Sequence, residues 1–356
     1  LKKGEAARLL HFSSHPQEME IGDNDASVYT LAELQASGFN QNDHHGLKHT
    51  GSSPSLLMTY ESHRDYRNAY GRKLEVIQKY NGLELITHIQ FYDGIQTVKF
   101  VNEVLNHSGE EYALEYVSSF ALTGITEQTK GPRDKTGLLY IPHNTWFGEA
   151  QWKKYTLNEL GYDAVNSFSM KRIAVTNTGS WACVEHLPMG CYYNTELDQS
   201  LMWQIETSGS WHWEISDIRG TLYVQAGGPT YQENGFLKIL KPDEHFLSVP
   251  CAVSAAKGEF QEAVAELTKY RRRIRRKNED NEKLPVIFND YMNCLMGDPT
   301  TEVLKPLIDA AAESGCEYFC VDCGWYSDGH WWDGVGEWLP SDRRFPGGIG
   351  EVIRYI

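Results

Sequence analysis

The segment Tyr318-Phe319-Cys320-Val321-Asp322-Cys323-Gly324-Trp325-Tyr326 is a short apolar run that breaks into an acid, a glycine and two aromatics. A run of this length bounded by turn residues is the mark of a strand buried on both faces of a parallel sheet. An earlier run has the same form: Leu284-Pro285 leads into Val286-Ile287-Phe288, which ends in Asn289-Asp290-Tyr291. Between the two lies a helical pattern. Asp298-Pro299 is suited to open it, with Asp as N-cap and Pro at the first helical position. Val303, Leu304, Leu307, Ile308 and Ala311 give its buried stripe, and Gly315 its end. Pro306 falls inside and should kink the helix or shift its start. Pro346-Gly347-Gly348, followed by Val352, Ile353 and Ile356, begins another helix. Strand alternating with helix is how a parallel barrel or open sheet starts. A closed (β/α)₈ barrel takes about 200 to 250 residues, so residues 285–356 are expected to be the truncated start of one.

Working back from there, residues 258–277 carry helical periodicity, with Phe260, Val264, Leu267 and Ile274 on one face. The basic run Arg271-Arg272-Arg273-Ile274-Arg275-Arg276-Lys277 closes it and reads as a solvated helix face beside Glu279 and Asp280. Everything ahead of about Ser254 reads as β-structure. Leu74-Glu75-Val76-Ile77 and the runs from Leu83 to Phe91 and Thr97 to Leu105 are separated by Asn81-Gly82 and Asp93-Gly94. Those dipeptides tolerate the positive φ of tight hairpins. Further strands are expected at 112–122, 171–176, 181–186, 201–206, 211–215 and 221–225, punctuated by Ser208-Gly209-Ser210 and Gly227-Gly228-Pro229. Many strands and few helices suggest a large antiparallel sandwich. The expected division is a sandwich domain over 1–256, a helical linker over 257–284 and barrel-type βα units over 285–356.

The formal net charge of −15 argues against a nucleic-acid partner, which would need clustered positive charge. No apolar run approaches membrane-spanning length and no signal peptide is visible, so no membrane partner is expected. The chain starts at Leu1, not at Met, so the front end is also expected to be missing or processed. Seven cysteines are an odd number without disulfide-framework spacing, which favours a reducing, cytoplasmic setting. Cys320 and Cys323 make a C-x-x-C. An odd separation along a strand sends the side chains to opposite faces, against a redox or zinc role. Asp43-His44-His45 with His49 contains metal-binding residue types. Adjacent loop histidines point apart, and a polar loop near Gly46 and Gly51 is the plainer reading. No metal and no cofactor is expected. Tryptophan suits both sandwich cores and stacking on sugar rings, and composition does not separate the two uses.

In a parallel αβ sheet, functional groups gather at the carboxyl edge, where strands end and loops begin. The two strand ends here bring Asn289-Asp290-Tyr291 and Asp322-Cys323-Gly324-Trp325-Tyr326 to one rim. An acid beside an aromatic plate suits a sugar, since carboxylates accept hydroxyl hydrogen bonds and a ring packs the apolar sugar face. Tyr291, Asp322 and Cys323 are therefore candidate binding residues. The loop from Ser327 to Pro340 adds Trp331, Trp332, Asp333, Glu337 and Trp338, a lid or subsite wall in which Trp332 and Asp333 are candidates. The alternative is that these tryptophans bury the loop against a neighbouring domain, and that Trp325 is core beneath the rim.

Several motifs in order carry a resemblance. Leu284-Pro285-Val286-Ile287-Phe288-Asn289, Cys320-Val321-Asp322-Cys323-Gly324-Trp325, Gly336-Glu337-Trp338-Leu339-Pro340 and Phe345-Pro346-Gly347-Gly348 resemble the opening of the barrel in the family 36 α-galactosidases, the melibiases. Trp203-Gln204-Ile205-Glu206, Gly209-Ser210-Trp211 and Gly227-Gly228-Pro229 are similar to the β-supersandwich domain that precedes that barrel. The resemblance implies a β-supersandwich followed by a (β/α)₈ TIM barrel. It also implies an enzyme without cofactor that removes terminal α-linked galactose from oligosaccharides with retention, often as a homo-oligomer whose sandwich loops border a neighbour's active site.

Asp322 matches the first aspartate of the family's Asp-Asp-Gly-Trp, a pair that the resemblance implies binds galactose hydroxyls. Cys323 departs from the second, and a thiol is a weak donor and acceptor. Tyr291 falls where the family has a tryptophan. The family's nucleophile, in a Lys-x-Asp motif, and its acid/base lie at later strand ends, so no catalytic residue is assigned in this chain and no hydrolysis by it alone is expected. Asp328, Asp333 and Glu337 are too common a surface pattern to replace them. Two other readings stand beside this one: an α-N-acetylgalactosaminidase or transglycosylase of the same family, and a carbohydrate-binding sandwich without catalysis.

Overall fold

Asn81 and Gly82 both adopt positive φ, 47° and 76°, and close the hairpin between Arg72–Tyr80 and Leu83–Tyr92 as a two-residue turn. The computed structural model of the chain describes residues 3–14, 26–41, 43, 46–126, 129, 133–162 and 168–356. It divides into two units, Leu1–Ile274 and Arg275–Ile356. In the first unit the hairpin belongs to a 10-stranded antiparallel sheet. Its order is Thr59–Arg67, Arg72–Tyr80, Leu83–Tyr92, Ile95–Asn106, Cys251–Lys257, Gln199–Ile205, Met189–Asn194, Gly137–His143 and Gln151–Thr156, and His245–Leu247 pairs with Ile95–Asn106. A 6-stranded sheet runs Leu34–Ala36, Tyr112–Thr123, Thr221–Gly227, Trp211–Ile218 and Ile173–Asn177, with Lys238–Leu240 also on Tyr112–Thr123.

Alternating side chains of both sheets meet in one core. Trp203 of the larger sheet packs edge-on against Trp213 of the smaller at 5.1 Å, and Phe100 meets Phe120 at 5.0 Å. Trp203, Trp211 and Trp213 are fully buried, which settles their use as core. Gly190 is required opposite Trp203, because a Cβ there would lie 2.2 Å from the indole. Each large apolar side chain buried in this way stabilises by about 1.5 to 3 kcal/mol.

Strands Leu34–Ala36, Gly137–His143, Gln151–Thr156, Met189–Asn194, Lys238–Leu240, His245–Leu247 and Cys251–Lys257 are not among those singled out from sequence, and three further features of this unit differ from expectation. Residues 181–186 run as turns with one isolated β-bridge, His143 to His186. Side-chain amides compete for the backbone there: Asn177 Nδ2 donates to Trp181 O, Asn177 Oδ1 accepts from Val184 N–H, and Asn144 Nδ2 donates to Cys183 O. The edge strand Thr59–Arg67 escapes a periodicity reading because it is charged and largely exposed, as unpaired edges tend to be. Helix Phe260–Ile274, expected to link two domains, lies within the first unit. Its Ala263, Leu267 and Tyr270 are buried in a cluster with Met202 and Ala252 of the larger sheet. Part of its basic run is docked as well, Arg271 Nε donating to Gln204 Oε1 at 2.6 Å and Arg273 to Ala69 O at 2.7 Å.

The second unit begins its pattern with two parallel strands, Ile287–Asn289 and Tyr318–Cys320, in the register Ile287 to Tyr318 and Asn289 to Cys320. Helix Thr301–Glu313 connects them. Its N-cap is Thr300, whose hydroxyl accepts from Val303 N–H at 3.3 Å; Asp298 was the expected cap, but its carboxylate is held by the Arg344 guanidinium instead. Pro306 lies inside the helix, and Gly315 at φ 81° follows its end. Leu304 and Ile308 pack with Phe345 and with Val352 of helix Ile349–Tyr355. Ile287 and Tyr318, expected to be buried on both faces, are exposed, since a two-stranded sheet has one face uncovered.

Candidate functional site

The carboxyl ends of the two parallel strands form the candidate site, and hydrogen bonds between them fix its shape. Asn289 Nδ2 donates to Asp322 Oδ2 at 2.8 Å, and Asn289 Oδ1 accepts from Tyr291 N–H at 2.9 Å. One amide thus holds both the carboxylate of Asp322 and the backbone of Tyr291. Asp322 is exposed and Tyr291 half-buried. Asp290 is buried, and its Oδ1 accepts from Asp322 N–H at 2.9 Å. Burial and the neighbouring Asp322 push the Asp290 carboxyl above the usual aspartate range, a hydrogen bond opposing them. The Cys323 thiol is buried and bonded to Asp322; burial, with that carboxylate, pushes it up to about 11, so it sits on the rim as a neutral thiol.

Two glycines let the strand-end loops cross. Gly324 has φ 86°, and a Cβ there would stand 1.9 Å from Gly297 O; a Cβ on Gly297 would stand 2.4 Å from the Trp331 ring. Trp331 consequently lies flush on the backbone and meets Tyr291 edge-on at 5.7 Å. Trp332 is 66% exposed and packs edge-on against Trp331 at 4.9 Å, one layer further out. Asp333 is exposed, and its N–H closes the turn onto His330 O at 3.1 Å. Trp325 packs with Tyr326 and Trp338 over the core of the unit. The base of this loop is stapled by Arg344, which donates to Ser327 O and to Gly329 O, the latter at 2.7 Å.

Of the five residues proposed from sequence, Asp322 and Cys323 bond directly, Tyr291 joins them through Asn289 and Trp332 through Trp331, while Asp333 stays exposed in its loop. Asn289, Asp290 and Trp331 complete the constellation and were not among those five. Their signal was position: Asp290 and Trp331 are immediate neighbours of residues that were, and Asn289 stands two positions before Tyr291. Asp328 accepts from Ser341 Oγ at 2.5 Å and is thereby held in the loop.

A second polar cluster lies inside the sandwich unit. His44 and His45 of the histidine-rich stretch lie outside the described residues. Asp43 takes Arg219 in a two-pronged pair at 2.8 and 2.6 Å. His49 is buried beside His212 and Glu214, which among the described residues are the one set whose potential metal-ligand atoms lie mutually within 4.8 Å. A guanidinium already holds the place of a cation there: Arg172 donates to Glu214 Oε2 at 3.0 Å and also to Glu233. His212 adds a bond to Glu214 at 3.0 Å and His49 one to Glu233 at 2.7 Å. These partners hold the Glu214 and Glu233 carboxyls well below the usual range despite burial. Both carboxylates of the cluster are thus paired with the guanidinium and hydrogen-bonded to a histidine.

Residues 253–356 match the sequence pattern of the family described as Melibiase. Alpha-galactosidase 1 of Pediococcus pentosaceus is 32% identical over 89 residues, 24% of this chain and 12% of that protein. Alpha-galactosidase Mel36A of Lactobacillus acidophilus is 26% identical over 168 residues, 46% of this chain and 22% of that protein. The crystal structure of the family 36 α-galactosidase AgaA from Geobacillus stearothermophilus superposes with a TM-score of 0.72 at 16% identity, over 100% of this chain and 52% of that one. An AgaA variant crystallised with raffinose gives 0.70 at 17% identity, over 91% and 44%. The chain therefore spans about half the length of these solved structures, and its matches cover under a quarter of the two relatives. The fold is that of the front portion of these solved structures. Residues 253–356 thus carry the melibiase pattern, and the chain is similar to the front portion of family 36 α-galactosidases.

Proposed function

We propose that this chain forms the front part of a retaining exo-α-galactosidase that removes terminal α-linked galactose from oligosaccharides. The observation that carries the reading is the rim itself. Asp322, its carboxylate held by Asn289, stands exposed at the strand end, and the same Asn289 fixes the backbone of Tyr291, within the stretch that matches the melibiase pattern. A carboxylate there accepts sugar hydroxyls while the ring packs an apolar sugar face. Raffinose and stachyose, both found bound to AgaA variants, are galactosides of the proposed class.

Retaining hydrolysis needs two accessible carboxyl groups about 5 to 5.5 Å apart. Asp290 is buried beneath Asp322 and does not form such a pair with it. Residues 1–356 therefore bind and orient sugar in this proposal, and the bond-breaking carboxylates belong to later strand ends. The test is hydrolysis of nitrophenyl α-galactoside by the purified 356 residues and by the same chain continued through a closed barrel. The short form should be inactive and the long form should release galactose with retained anomeric configuration. Activity of the short form, or a long form that ignores α-galactosides but cleaves another glycoside, would refute the proposal.

A further inference from the structure

We infer that Asp290 is the positioning residue of the rim: its side chain replaces a backbone carbonyl in the ladder between the two parallel strands and so fixes how Asp322 is presented to a sugar hydroxyl. The sugar part of this statement rests on the galactosidase reading; the positioning part does not.

The hydrogen-bond pattern carries the inference. Parallel strands exchange evenly spaced bonds, and the register pairs Asn289 with Cys320. The rung from Asp290 N–H to Cys320 O is present at 3.2 Å. The next rung would run from Asp322 N–H to the backbone carbonyl of residue 290. That carbonyl has turned away. Asp290 adopts φ −83°, ψ −2°, and its backbone oxygen accepts from Leu295 N–H at 2.8 Å, closing the wide turn Tyr291–Leu295. The side chain fills the vacant rung instead, Oδ1 taking the Asp322 N–H at 2.9 Å. An acceptor one carbon beyond Cβ is what the gap requires.

The arrangement holds Asp322 at two points, its backbone by Asp290 and its carboxylate by Asn289. Asp290 is 2% exposed, and its Oδ2 is buried without a partner among the described residues. A carboxyl in that position is better neutral, since an ionised one would face Asp322 uncompensated; its upward-shifted titration agrees. Asparagine should therefore replace it well, whereas alanine leaves the Asp322 N–H without its partner.

The experiment has two arms. Amide exchange on the 356-residue chain reads the rung directly: Asp290→Ala should speed exchange at Asp322 about tenfold or more, and Asp290→Asn should restore most of the protection. Kinetics on nitrophenyl α-galactoside, in the protein continued through its barrel, reads the consequence. Asp290→Ala should raise KM about tenfold or more with a smaller change in kcat, Asp290→Asn should recover most of that loss, and Asp290→Ala should add under about twofold to Asp322→Ala. If Asp290→Ala does not fold, Asp290→Ser, whose hydroxyl falls short of the rung, takes its place with the same expectations. Unchanged exchange at Asp322, a fall in kcat alone at constant KM, or full additivity with Asp322→Ala would overturn the inference. A wild-type protein that leaves the galactoside uncleaved would sink the galactosidase reading, while the exchange arm would still decide the positioning.

Discussion

Replacing Glu33 by glutamine should stabilise the sandwich unit, and increasingly so as pH rises. Glu33 is 2% exposed, and its Oε1 accepts from the neutral hydroxyls of Thr30 at 2.7 Å and Thr50 at 3.2 Å. Burial pushes its carboxyl from the ordinary glutamate value of 4.5 to about 7, outweighing the hydrogen bonds that pull the other way. The sign follows from proton counting. Below 4.5 the group is protonated folded and unfolded alike and pH has no effect through it. Between 4.5 and 7 the folded state holds a proton that the unfolded chain has released, so stability falls as pH rises. Above 7 the deficit is complete. A separation of about 2.5 units at 1.36 kcal/mol per unit sets it at about 3 kcal/mol, while at pH 5 it is about 1 kcal/mol. Glu33→Gln mimics the protonated acid and removes the dependence. Guanidinium unfolding followed by tryptophan fluorescence, at pH 5, 6.5 and 8, measures the difference between variant and wild type. Glu214 and Glu233, held low, act in the opposite direction in acid, but they are common to both proteins and cancel. A variant–wild-type difference that stays flat across this range, or grows toward acid, would refute the reasoning.

Two further outcomes are expected. Lys48 and Asp217 form a pair at 2.9 Å with side chains 2% and 1% exposed, so Lys48→Met should destabilise the sandwich by about 3 to 5 kcal/mol, with Asp217→Asn in the same chain recovering part of it; urea unfolding measures both. Cys323, raised to about 11, should carry less than about one thiolate per thousand at pH 7.5, so iodoacetamide should label exposed Cys294 well ahead of it, as peptide mass spectrometry would read; comparable labelling would contradict the neutral thiol.

Much of the architecture was legible because local chemistry and global fold agree in it. Asn81-Gly82 announces a turn whose two positive φ values only such a pair adopts easily, and the runs ending at Phe288 and Val321 announce parallel strands. What stayed hidden depends on partners distant in sequence. Nothing local in residues 181–186 reveals that the amides of Asn144 and Asn177 will take their backbone groups. His49, His212 and Glu214 become neighbours only when the sheet is assembled around them. Which of the paired indoles Trp331 and Trp332 faces Tyr291 is decided by the room left at Gly297, a residue more than thirty positions away.

Asp290 lies between these cases. The sequence places an acid directly behind Asn289 at a strand end, where either could have been the residue facing substrate. The choice is made by the backbone: it leaves the strand at residue 290 to reach Leu295, which draws the main-chain carbonyl out of the ladder and the side chain into it. The rim can then show an acid from the second strand precisely because the acid of the first has been spent on holding it. A strand end carrying adjacent Asn and Asp should therefore be read as one group that orients and one that substitutes for backbone, before either is counted as a ligand.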